Sequence, residues 1–492
     1  MTDRDPLSTD EYRTLLATAP GSAFDADTVS PDVTRLFTPS SHRRALDPDV
    51  TVVRGARGSG KTVWTKVLSD DRMREIAAAS YMMPRLQRMT VTTGHARGGE
   101  PNLHHPSKHG ISKLMKDPRV TPQHLWSAVV LTGLRAPEIL RIEGWDKRVR
   151  WVADHMESYE RALWTIDQEA RKSGHTHLLI FDALEHLHSD RPVVDRLVSG
   201  LFEVALDLRM STSSIRAKIF VRPDMYESAP KHFPDASKLG ANATDLAWTT
   251  ENLYGLLYHQ LGNHPSPEAE KFRAWTGSWR SEGEGRCIAP VDVIATPTRQ
   301  HELFIAMAGP YMGPSHRRGH TYTWLPNHLQ DGKGQVSPRT LLQAVSTAAT
   351  ISRDRYPAHE YALHYDAIRA SVSTASQIRV DEIKEDISWA AVAVEQLRGG
   401  QVPMQPSVVL AYWRDASLSA KLREVLANGS QGSGPEDVDN HRELIDELER
   451  LGVMTRRAAG ASDVRDYAVD IPDVYRLAFG IGRRGGVSRR AH

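Results

Sequence analysis

Residues 55 to 62 read Gly55-Ala56-Arg57-Gly58-Ser59-Gly60-Lys61-Thr62, which fits the pattern G-x-x-x-x-G-K-[ST] at every fixed position. This is the pattern of a phosphate-binding loop, the Walker A motif. Its glycines let the backbone curl until successive N–H groups point at phosphate oxygens. Lys61 would reach the β and γ phosphates of a nucleotide, and the Thr62 hydroxyl would hold Mg²⁺. The stretch therefore predicts a nucleotide site.

The flanking sequence has the strand and the helix between which such a loop belongs. Thr51-Val52-Val53-Arg54 is a β-branched run that suits a buried strand. Val63-Trp64-Thr65-Lys66-Val67-Leu68 can open a helix whose N-terminus faces an anion. We therefore predict that ATP contacts each residue from Gly55 to Val63. The alternative is a chance match in an ordinary loop.

The composition limits the class of protein. A chain of 492 residues, 25% charged and 40% hydrophobic, is typical of a soluble protein with two to four domains. Its net charge of +1 means that any basic binding face must be local. The lone Cys287 excludes an internal disulfide framework and fits a reducing cytoplasm. No secretory signal and no run of about eighteen apolar residues occur, so we expect a cytoplasmic protein without a membrane span.

Strand patterns and helix patterns alternate after the loop. Apolar runs at 177–182 and 217–222 read as buried strands, and helical spacing of apolar residues covers 122–133, 147–172 and 192–208. This alternation predicts an α/β fold in which a parallel sheet is flanked by helices, with right-handed crossovers.

Four histidines fall between residues 93 and 120, among many Gly, Pro and Lys residues. Cysteine and carboxylate ligands at zinc spacing are missing there, and the adjacent His104 and His105 could not easily turn toward one ion. We therefore interpret this stretch as a flexible polar insertion, with a metal site as the alternative. The four histidines are His95, His104, His105 and His109.

An acid follows the apolar run that ends at Phe181, where a Walker B residue belongs. Asp182 would hold Mg²⁺ together with Thr62, and Glu185, three residues on, would polarise the attacking water. The alternative for Asp182 is a cap of the following helix. The alternative for Glu185 is an ordinary solvated side chain.

Two arginines are candidates for sensing the γ phosphate. Arg222 leaves the strand at 217–222 and would stabilise charge that develops during phosphoryl transfer, unless it forms an ion pair with Asp224 or Glu227. Arg339 lies in the first turn of a predicted helix that begins at Pro338, where a cation opposes the helix dipole. Contact with phosphate from a helical lid would explain that placement.

The C-terminal sequence has the outline of a winged helix. A helix over 441–452 is followed by two short strand patterns at 453–457 and 466–471. Arginines near the presumed wing and the terminus would meet DNA phosphates. The acidic residues of the preceding helix favour the alternative, a solvated or protein-docking surface. The arginines are Arg456, Arg457, Arg465, Arg483, Arg484, Arg489 and Arg490.

We divide the chain into five predicted segments. They are an N-terminal helical arm (1–48), a P-loop ATPase core (49–248), a helical lid (249–350), a helical connecting region (351–430) and a winged-helix-like domain (431–492). The Gly- and Ser-rich stretch at 428–435 is the clearest linker.

Three elements carry a resemblance to a known family: the loop at 55–62, the acidic strand end at 178–185, and the helical region before a winged helix. Together they resemble the AAA+/STAND-type P-loop ATPases, including KAP-like and origin-recognition-like members. Similar chains carry an acidic Walker B of the type DDLD, and Asp182 and Glu185 match its first and last acids. Ala183 departs from its second acid, so either Glu185 activates water or hydrolysis is weak. Arg222 and Arg339 fall where such families place sensor residues.

The resemblance implies an ATP-driven switch that uses ATP and Mg²⁺. The γ phosphate of the bound ATP would bias the orientation of the lid relative to the core. The resulting motion would be transmitted to a C-terminal module that contacts a protein partner. Many relatives act in bacterial regulation or phage defence, and oligomerisation is open. The competing interpretations are an ATP-regulated DNA-binding protein and a nucleotide-binding scaffold that hardly turns over.

Overall fold

A computed structural model describes residues 7–20, 32–98, 100, 102–188, 190–427, 434–458 and 467–485. These residues form two compact units. The sheet unit comprises residues 40–247, and the helical unit comprises the described residues among 7–20, 32–39 and 248–485. Each unit has its own hydrophobic core.

The described residues contain α-helices, short 3₁₀ helices and strands. The α-helices are α1 (Thr9–Thr18), α2 (Arg43–Leu46), α3 (Lys61–Ser69), α4 (Asp71–Ser80), α5 (Lys108–Leu114), α6 (Pro122–Gly133), α7 (Pro137–Leu140), α8 (Trp145–Asp154), α9 (Met156–Ser173), α10 (Arg191–Ser211), α11 (Pro223–Ser228), α12 (Ser237–Ala241), α13 (Thr250–Gly262), α14 (Pro267–Thr276), α15 (Val291–Ala295), α16 (Pro297–Ala308), α17 (Thr321–Leu329), α18 (Pro338–Arg355), α19 (Tyr365–Asp386), α20 (Ser388–Glu395), α21 (Pro406–Asp415), α22 (Leu418–Ala427), α23 (His441–Arg450) and α24 (Asp473–Arg476). The 3₁₀ helices are Val33–Arg35, Ser40–His42, Pro84–Arg88, Leu184–His186 and His316–Arg318. The strands are β1 (Val52–Arg54), β2 (Met89–His95), β3 (Thr176–Phe181), β4 (Ile215–Val221), β5 (Ala243–Asp245), β6 (Arg280–Ser281), β7 (Cys287–Ile288), β8 (Gln401–Val402), β9 (Thr455–Ala458), β10 (Tyr467–Asp470) and β11 (Gly482–Arg483).

The sheet unit is built on one five-stranded sheet in the order β2-β3-β4-β1-β5. Every pair of neighbouring strands is parallel; Val53 of β1, for example, lies opposite Phe220 of β4 and Thr244 of β5. The strand before the phosphate loop is therefore enclosed by two others. The prediction of an α/β fold with a parallel sheet flanked by helices is confirmed.

Helices α6, α9 and α10 supply much of the core against which the sheet packs. Their apolar side chains and those of β3 and β4 form one buried cluster. Trp126 of α6 lies edge-on to Phe181 of β3, with ring centroids 5.5 Å apart, and its indole N–H donates to the carbonyl of Leu197 in α10 at 2.7 Å. Because both faces of a parallel sheet are covered by helices, β3 ends in the buried apolar run 178–181. In β4 the fully buried Lys218 interrupts the apolar pattern, and its ammonium donates to the carbonyls of Asp47 and Val50.

The prediction of a flexible polar insertion over 93–120 is wrong for part of that stretch. Residues 89–95 form β2, which pairs with β3, and residues 108–114 form α5. Gly94 reads as a loop signal in sequence, but it serves close packing. A Cβ at Gly94 would lie 2.4 Å from the Phe181 ring, so only glycine fits there. The preceding β-branched residues Thr90–Thr93 were the strand signal.

The long helix predicted over 147–172 is two helices. Helix α8 ends at Asp154 and α9 begins at Met156, because His155 leaves the helical conformation at φ −133° and ψ 51°. The His155 ring nitrogen Nδ1 lies 2.9 Å from the carbonyl oxygen of Trp151, at the end of α8. The apolar period continues across this break, so the spacing of apolar residues does not reveal it.

The helical unit holds the N-terminal helix α1 against α18. Arg13 of α1 is 2% exposed, and its guanidinium donates to the carbonyls of Tyr356, Pro357 and Ala362, which follow the C-terminal end of α18. A cation is stabilised there because carbonyl oxygens at a helix C-terminus lack partners in the helix.

A second apolar cluster of the helical unit runs from Val380 to Ile481. Helix α23 packs its leucines into it and is followed by the antiparallel pair β9–β10, in which Val469 lies opposite Arg456. The order of helix, strand and strand agrees with the sequence pattern. The name winged helix and the five-segment division remain predictions, and residues 428–433 of the predicted linker lie outside the described residues.

Among the described residues, no helix is both long and apolar enough to cross a membrane.

His42 supports the helix that carries the phosphate loop, and it supplies a pH-dependence. The indole N–H of Trp64 in α3 donates to His42 Nδ1 at 2.9 Å, and burial lowers the pKa of His42 to about 4. As pH falls from about 6.5 toward 4, the unfolded chain takes up a proton that the folded chain does not, so stability falls. This contribution reaches about 2 kcal/mol between pH 6.5 and 5.

We expect His42→Gln to flatten the dependence of the free energy of unfolding on pH, measured by urea titration at pH 7.5, 6.5, 5.5 and 5. Other buried histidines, such as His259, add their own dependence, so the informative quantity is the difference between wild type and variant. The exposed His104 gives a matched control, and His104→Gln should leave the curve unchanged. Equal slopes in His42→Gln and wild type would contradict this account.

Candidate functional site

The phosphate loop joins the carboxyl end of β1 to the N-terminus of α3. It is closed by Gly55, whose N–H donates to the Val221 carbonyl of β4 at 3.0 Å. A Cβ at Gly55 would lie 2.3 Å from Ser59 Oγ, so the curled loop requires glycine there. Gly58 and Gly60 have φ of +76° and +102°, which favours glycine over residues with a side chain. The fixed glycines Gly55 and Gly60 therefore allow the curled backbone, and contact of the loop with phosphate remains a prediction.

Lys61 is the first residue of α3 and folds back over the loop. Its ammonium donates to the carbonyl of Gly55 at 2.7 Å and to that of Ala56 at 3.2 Å. Thr62 and Val63 follow in the first turn of the helix, both half-buried, as is Arg57 in the loop. The predicted contact residues from Gly55 to Val63 therefore belong to one loop and one helix turn, and the N-terminus of a helix suits an anion.

Asp182 directly follows β3 and is 4% exposed. Its Oδ2 accepts a hydrogen bond from Thr65 Oγ1 at 3.2 Å. Thr65 lies one turn along α3 from Lys61, so the helix of the phosphate loop and the predicted Walker B acid are in direct contact. The sequence did not single out Thr65, since a threonine in a helix has many ordinary roles.

His95 holds the main chain of Asp182 in place. The Asp182 N–H donates to the His95 carbonyl at 2.8 Å, and His95 Nδ1 lies 2.7 Å from the Asp182 carbonyl oxygen. Because a carbonyl can only accept, Nδ1 carries the proton. Burial lowers the pKa of His95 to about 3, so the ring is neutral. The sequence interpretation placed His95 in an insertion and missed this role.

Glu185 is carried by a sharp turn after Asp182. Ala183 has φ +55°, a left-handed conformation that is unusual for a residue with a Cβ, and a 3₁₀ turn over Leu184–His186 follows. Glu185 itself is exposed to solvent. Unusual backbone conformations of this kind concentrate at functional sites.

Arg222 directly follows β4 and forms a two-pronged ion pair with Asp224. The distances are 3.0 Å from Nε to Oδ1 and 3.1 Å from Nη2 to Oδ2. Arg191 of α10 lies 3.7 Å from the same carboxylate. The ion pair weighed in the sequence analysis is therefore present, and a sensing role for Arg222 remains a prediction.

The charges of these residues act on one another. Burial raises the pKa of Asp182 above its ordinary value, although the nearby charge of Lys61 lowers it. Desolvation raises the pKa of Glu185. The charges of Lys61 and Arg222 and a hydrogen bond from the N–H of Glu185 itself lower that pKa by more, so the pKa of Glu185 lies below its ordinary value. The two acids and two cations thus form one electrostatic group in the sheet unit.

Arg339 lies in the helical unit, at the start of α18. Its Nη1 lies 3.4 Å from Glu382 Oε1 of α19. This pair gives the cation a local reason to occupy a helix N-terminus, and contact with nucleotide remains a prediction.

The described arginines near the predicted wing are held by carboxylates and an amide. Arg456 pairs with Asp446 and Glu449 of α23, and Arg457 pairs with Asp470 at 2.8 Å. Arg483 pairs with Asp470 at 2.8 Å and Asp473 at 3.1 Å, and its side chain is 6% exposed. Arg484 Nε donates to Gln401 Oε1 at 2.6 Å. Arg465, Arg489 and Arg490 lie outside the described residues.

The sheet order and the loop between β1 and α3 define the fold class, an α/β fold of the P-loop type. No protein-family model matches the sequence, and no curated protein is similar to it. The solved structures to which the chain is similar include the Orc2 protein of Aeropyrum pernix in ADPNP–ADP complexes, with 12% identity over 87% of this chain and 86% of that chain and a TM-score of 0.37. The same protein in its ADP form has 13% identity over 92% and 93% and a TM-score of 0.33. Cdc6p from Pyrobaculum aerophilum has 10% identity over 92% and 94% and a TM-score of 0.30.

We expect His95→Phe to lower the free energy of unfolding by about 1–3 kcal/mol, because it leaves the buried Asp182 carbonyl without its side-chain partner. Phenylalanine keeps the ring that packs against Trp126. His109→Phe, at an exposed site in α5, is the control and should change stability by less than about 0.5 kcal/mol. Equal stability of wild type and His95→Phe in urea unfolding would show that the bond contributes nothing.

Proposed function

We propose that this chain binds ATP with Mg²⁺ in the loop 55–62, hydrolyses it, and uses the change of nucleotide state to control a protein partner. The observation that carries the proposal is the group formed by Lys61, Asp182, Glu185 and Arg222. A glycine-built loop supplies N–H groups and one ammonium, and a buried carboxylate contacts the same helix. This is the set of groups that binding a triphosphate and a hard cation requires.

The residues fit Mg²⁺ by their chemistry. The Thr62 hydroxyl and the Asp182 carboxylate offer oxygen ligands, which Mg²⁺ prefers. Asp182 is buried with a raised pKa, so a divalent cation beside it would stabilise its charged form. Mg²⁺ would neutralise charge on the phosphate oxygens, while Thr65 keeps the Asp182 carboxylate oriented.

Glu185 suits the role of accepting a proton from water. It is exposed and its pKa is lowered, so it is ionised at neutral pH. In hydrolysis the water oxygen bonds to the γ phosphorus, the bond from that phosphorus to the β–γ bridging oxygen breaks, and Glu185 takes the water proton. Lys61 and Arg222 would offset the charge that develops on the phosphate oxygens.

The resemblance to AAA+/STAND-type ATPases supports a switch rather than a metabolic enzyme. In such a switch the γ phosphate would bias a lid that carries Arg339, and a C-terminal module would transmit the change to a protein partner. A cytoplasmic regulatory or phage-defence system is the setting we propose. DNA binding through a winged helix is less well supported, because Arg456, Arg457 and Arg483 are engaged by carboxylates.

The first test is nucleotide affinity. We expect Lys61→Ala to weaken Mg-ATP binding by at least about tenfold, since it removes a charged donor to phosphate. Lys66→Ala, five residues further along the same helix, is the matched control and should bind as wild type does. The measurement is isothermal titration with Mg-ATP, with circular dichroism to check the fold. Equal affinity in wild type and Lys61→Ala would refute the loop as the nucleotide site.

The second test separates hydrolysis from binding. We expect Glu185→Gln to keep its affinity for Mg-ATP while phosphate release slows about 10²- to 10⁴-fold, the range for loss of a general base. Glu227→Gln, an acid on the neighbouring α11, is the control and should keep wild-type turnover. If wild type and Glu185→Gln both bind ATP and turn over equally slowly, the chain is a nucleotide-binding scaffold.

The third test concerns the partner. Native purification of wild type with a slowly hydrolysed ATP analogue should enrich a protein that purification with ADP does not. Lys61→Ala should fail to enrich the same protein under either condition. A protein that co-purifies equally in all these conditions would show that association does not depend on nucleotide.

A further inference from the structure

The segment between α16 and α17 is a loop closed by backbone hydrogen bonds, which we call the basic loop (residues 309–320). Tyr311 and His320 pair in an antiparallel bridge, and the Met312 N–H donates to the Gly319 carbonyl at 2.9 Å. Met312 is fully buried, and its carbonyl accepts from the Arg369 guanidinium at 2.6 Å. The base of the loop is thus anchored in the helical unit.

The tip of the loop carries two arginines that have no carboxylate partner among the described residues. Arg317 and Arg318 are both exposed, and neither side chain makes an ion pair or hydrogen bond with the described part of the chain. No Asp or Glu occurs in the sequence between Glu302 and Asp331. The charge of the tip is therefore not neutralised by its own segment, in a protein whose net charge is only +1.

The backbone sets the direction of one of these arginines. Gly313 has φ +153°, and a Cβ placed on it would lie 3.0 Å from Arg318 Cγ. The aliphatic stem of Arg318 thus passes over Gly313, and the stem loses freedom before any ligand binds. An arginine whose stem already packs against the backbone loses less entropy on contact with an anion than a freely moving one.

The aromatic and imidazole rings of the loop contact each other. The Tyr311 ring centroid lies 5.2 Å from that of His320 and 6.4 Å from that of His316, and His320 lies 5.9 Å from His301. Single-stranded nucleic acids are bound by rings that are free to stack on bases. The rings here contact one another at an angle, and the two adjacent guanidiniums at the tip are the groups of the loop that suit phosphates.

We propose that the basic loop is a contact surface for the phosphate backbone of duplex DNA, made through Arg317 and Arg318 and independent of base sequence. Adjacent guanidiniums suit phosphate oxygens, and backbone contact requires only positioned cations. This surface differs from the wing, where the described arginines already have carboxylate or amide partners. It also does not depend on nucleotide binding at the phosphate loop.

The test is fluorescence anisotropy of a labelled, mixed-sequence duplex titrated with the full chain from 50 to 200 mM salt. We expect Arg317→Gln/Arg318→Gln to weaken binding about tenfold or more at 50 mM salt. It should also reduce the slope of log affinity against log salt by up to about 1.8, which corresponds to two lost phosphate contacts. The control is Arg398→Gln/Arg423→Gln, which removes two exposed arginines that have carboxylate partners, and it should bind as wild type does.

Two further variants distinguish charge from structure. Arg317→Lys/Arg318→Lys should keep the salt slope and most of the affinity, since either cation neutralises a phosphate charge. Gly313→Ala should weaken binding without a change of charge, because it displaces the Arg318 stem. Thermal unfolding of each variant checks the fold.

Several results would overturn the proposal. They are no measurable duplex binding by wild type at 50 mM salt, or equal affinity and slope in wild type and the glutamine variant. Tighter binding of single-stranded DNA or RNA through the same arginines would also overturn it. So would equal competition by polyglutamate of matched charge, which would indicate an acidic protein surface as the ligand.

Discussion

Parallel pairing of β2, β3, β4 and β1 brings the carboxyl ends of four strands to one edge of the sheet. Each end carries a polar residue of the candidate site: His95, Asp182, Arg222 and the loop that begins at Gly55. Neighbouring strands lie about 4.8 Å apart, so these residues must lie within a few strand widths of each other. Parallel strand pairing thus brings together residues that are far apart in the sequence.

At the same edge of the sheet, the carboxylate of Asp182 is buried. Asp182 loses hydration there, which raises its pKa, and Thr65 and the charge of Lys61 offset part of the loss. The bonds between His95 and Asp182 fix the main chain, so the carboxylate has little freedom to turn away. A buried carboxylate and a nearby ammonium are the charges that the proposed binding of Mg²⁺ and a triphosphate would offset.

Arginines of the helical unit differ in what surrounds them. Arg456 and Arg457 of β9 and Arg483 of β11 pair with Asp and Glu side chains, which offset their charge within the fold. Those of the basic loop stand on a segment without acids. Counting arginines in the sequence placed the cationic surface near the C-terminus. Among the described arginines, the surface that we propose instead is the exposed pair Arg317 and Arg318, between α16 and α17.

The sequence by itself determined the phosphate loop and the strand and helix around it, because these depend on local chemistry. Gly58 and Gly60 are required by backbone dihedrals, and β1 and α3 by side-chain pattern. It also determined the α/β class, through alternating strand and helix periods, and the position of Asp182 after an apolar run.

Only the tertiary structure decided the rest. Gly94 looked like a loop residue until the Phe181 ring was placed beside it, and His95 gained its role only when β2 paired with β3. The partners of Arg222, Arg339 and Arg456 are likewise set by packing. Local pattern encodes dihedral preference and burial, whereas the partner of a charge depends on which distant segment lies opposite it.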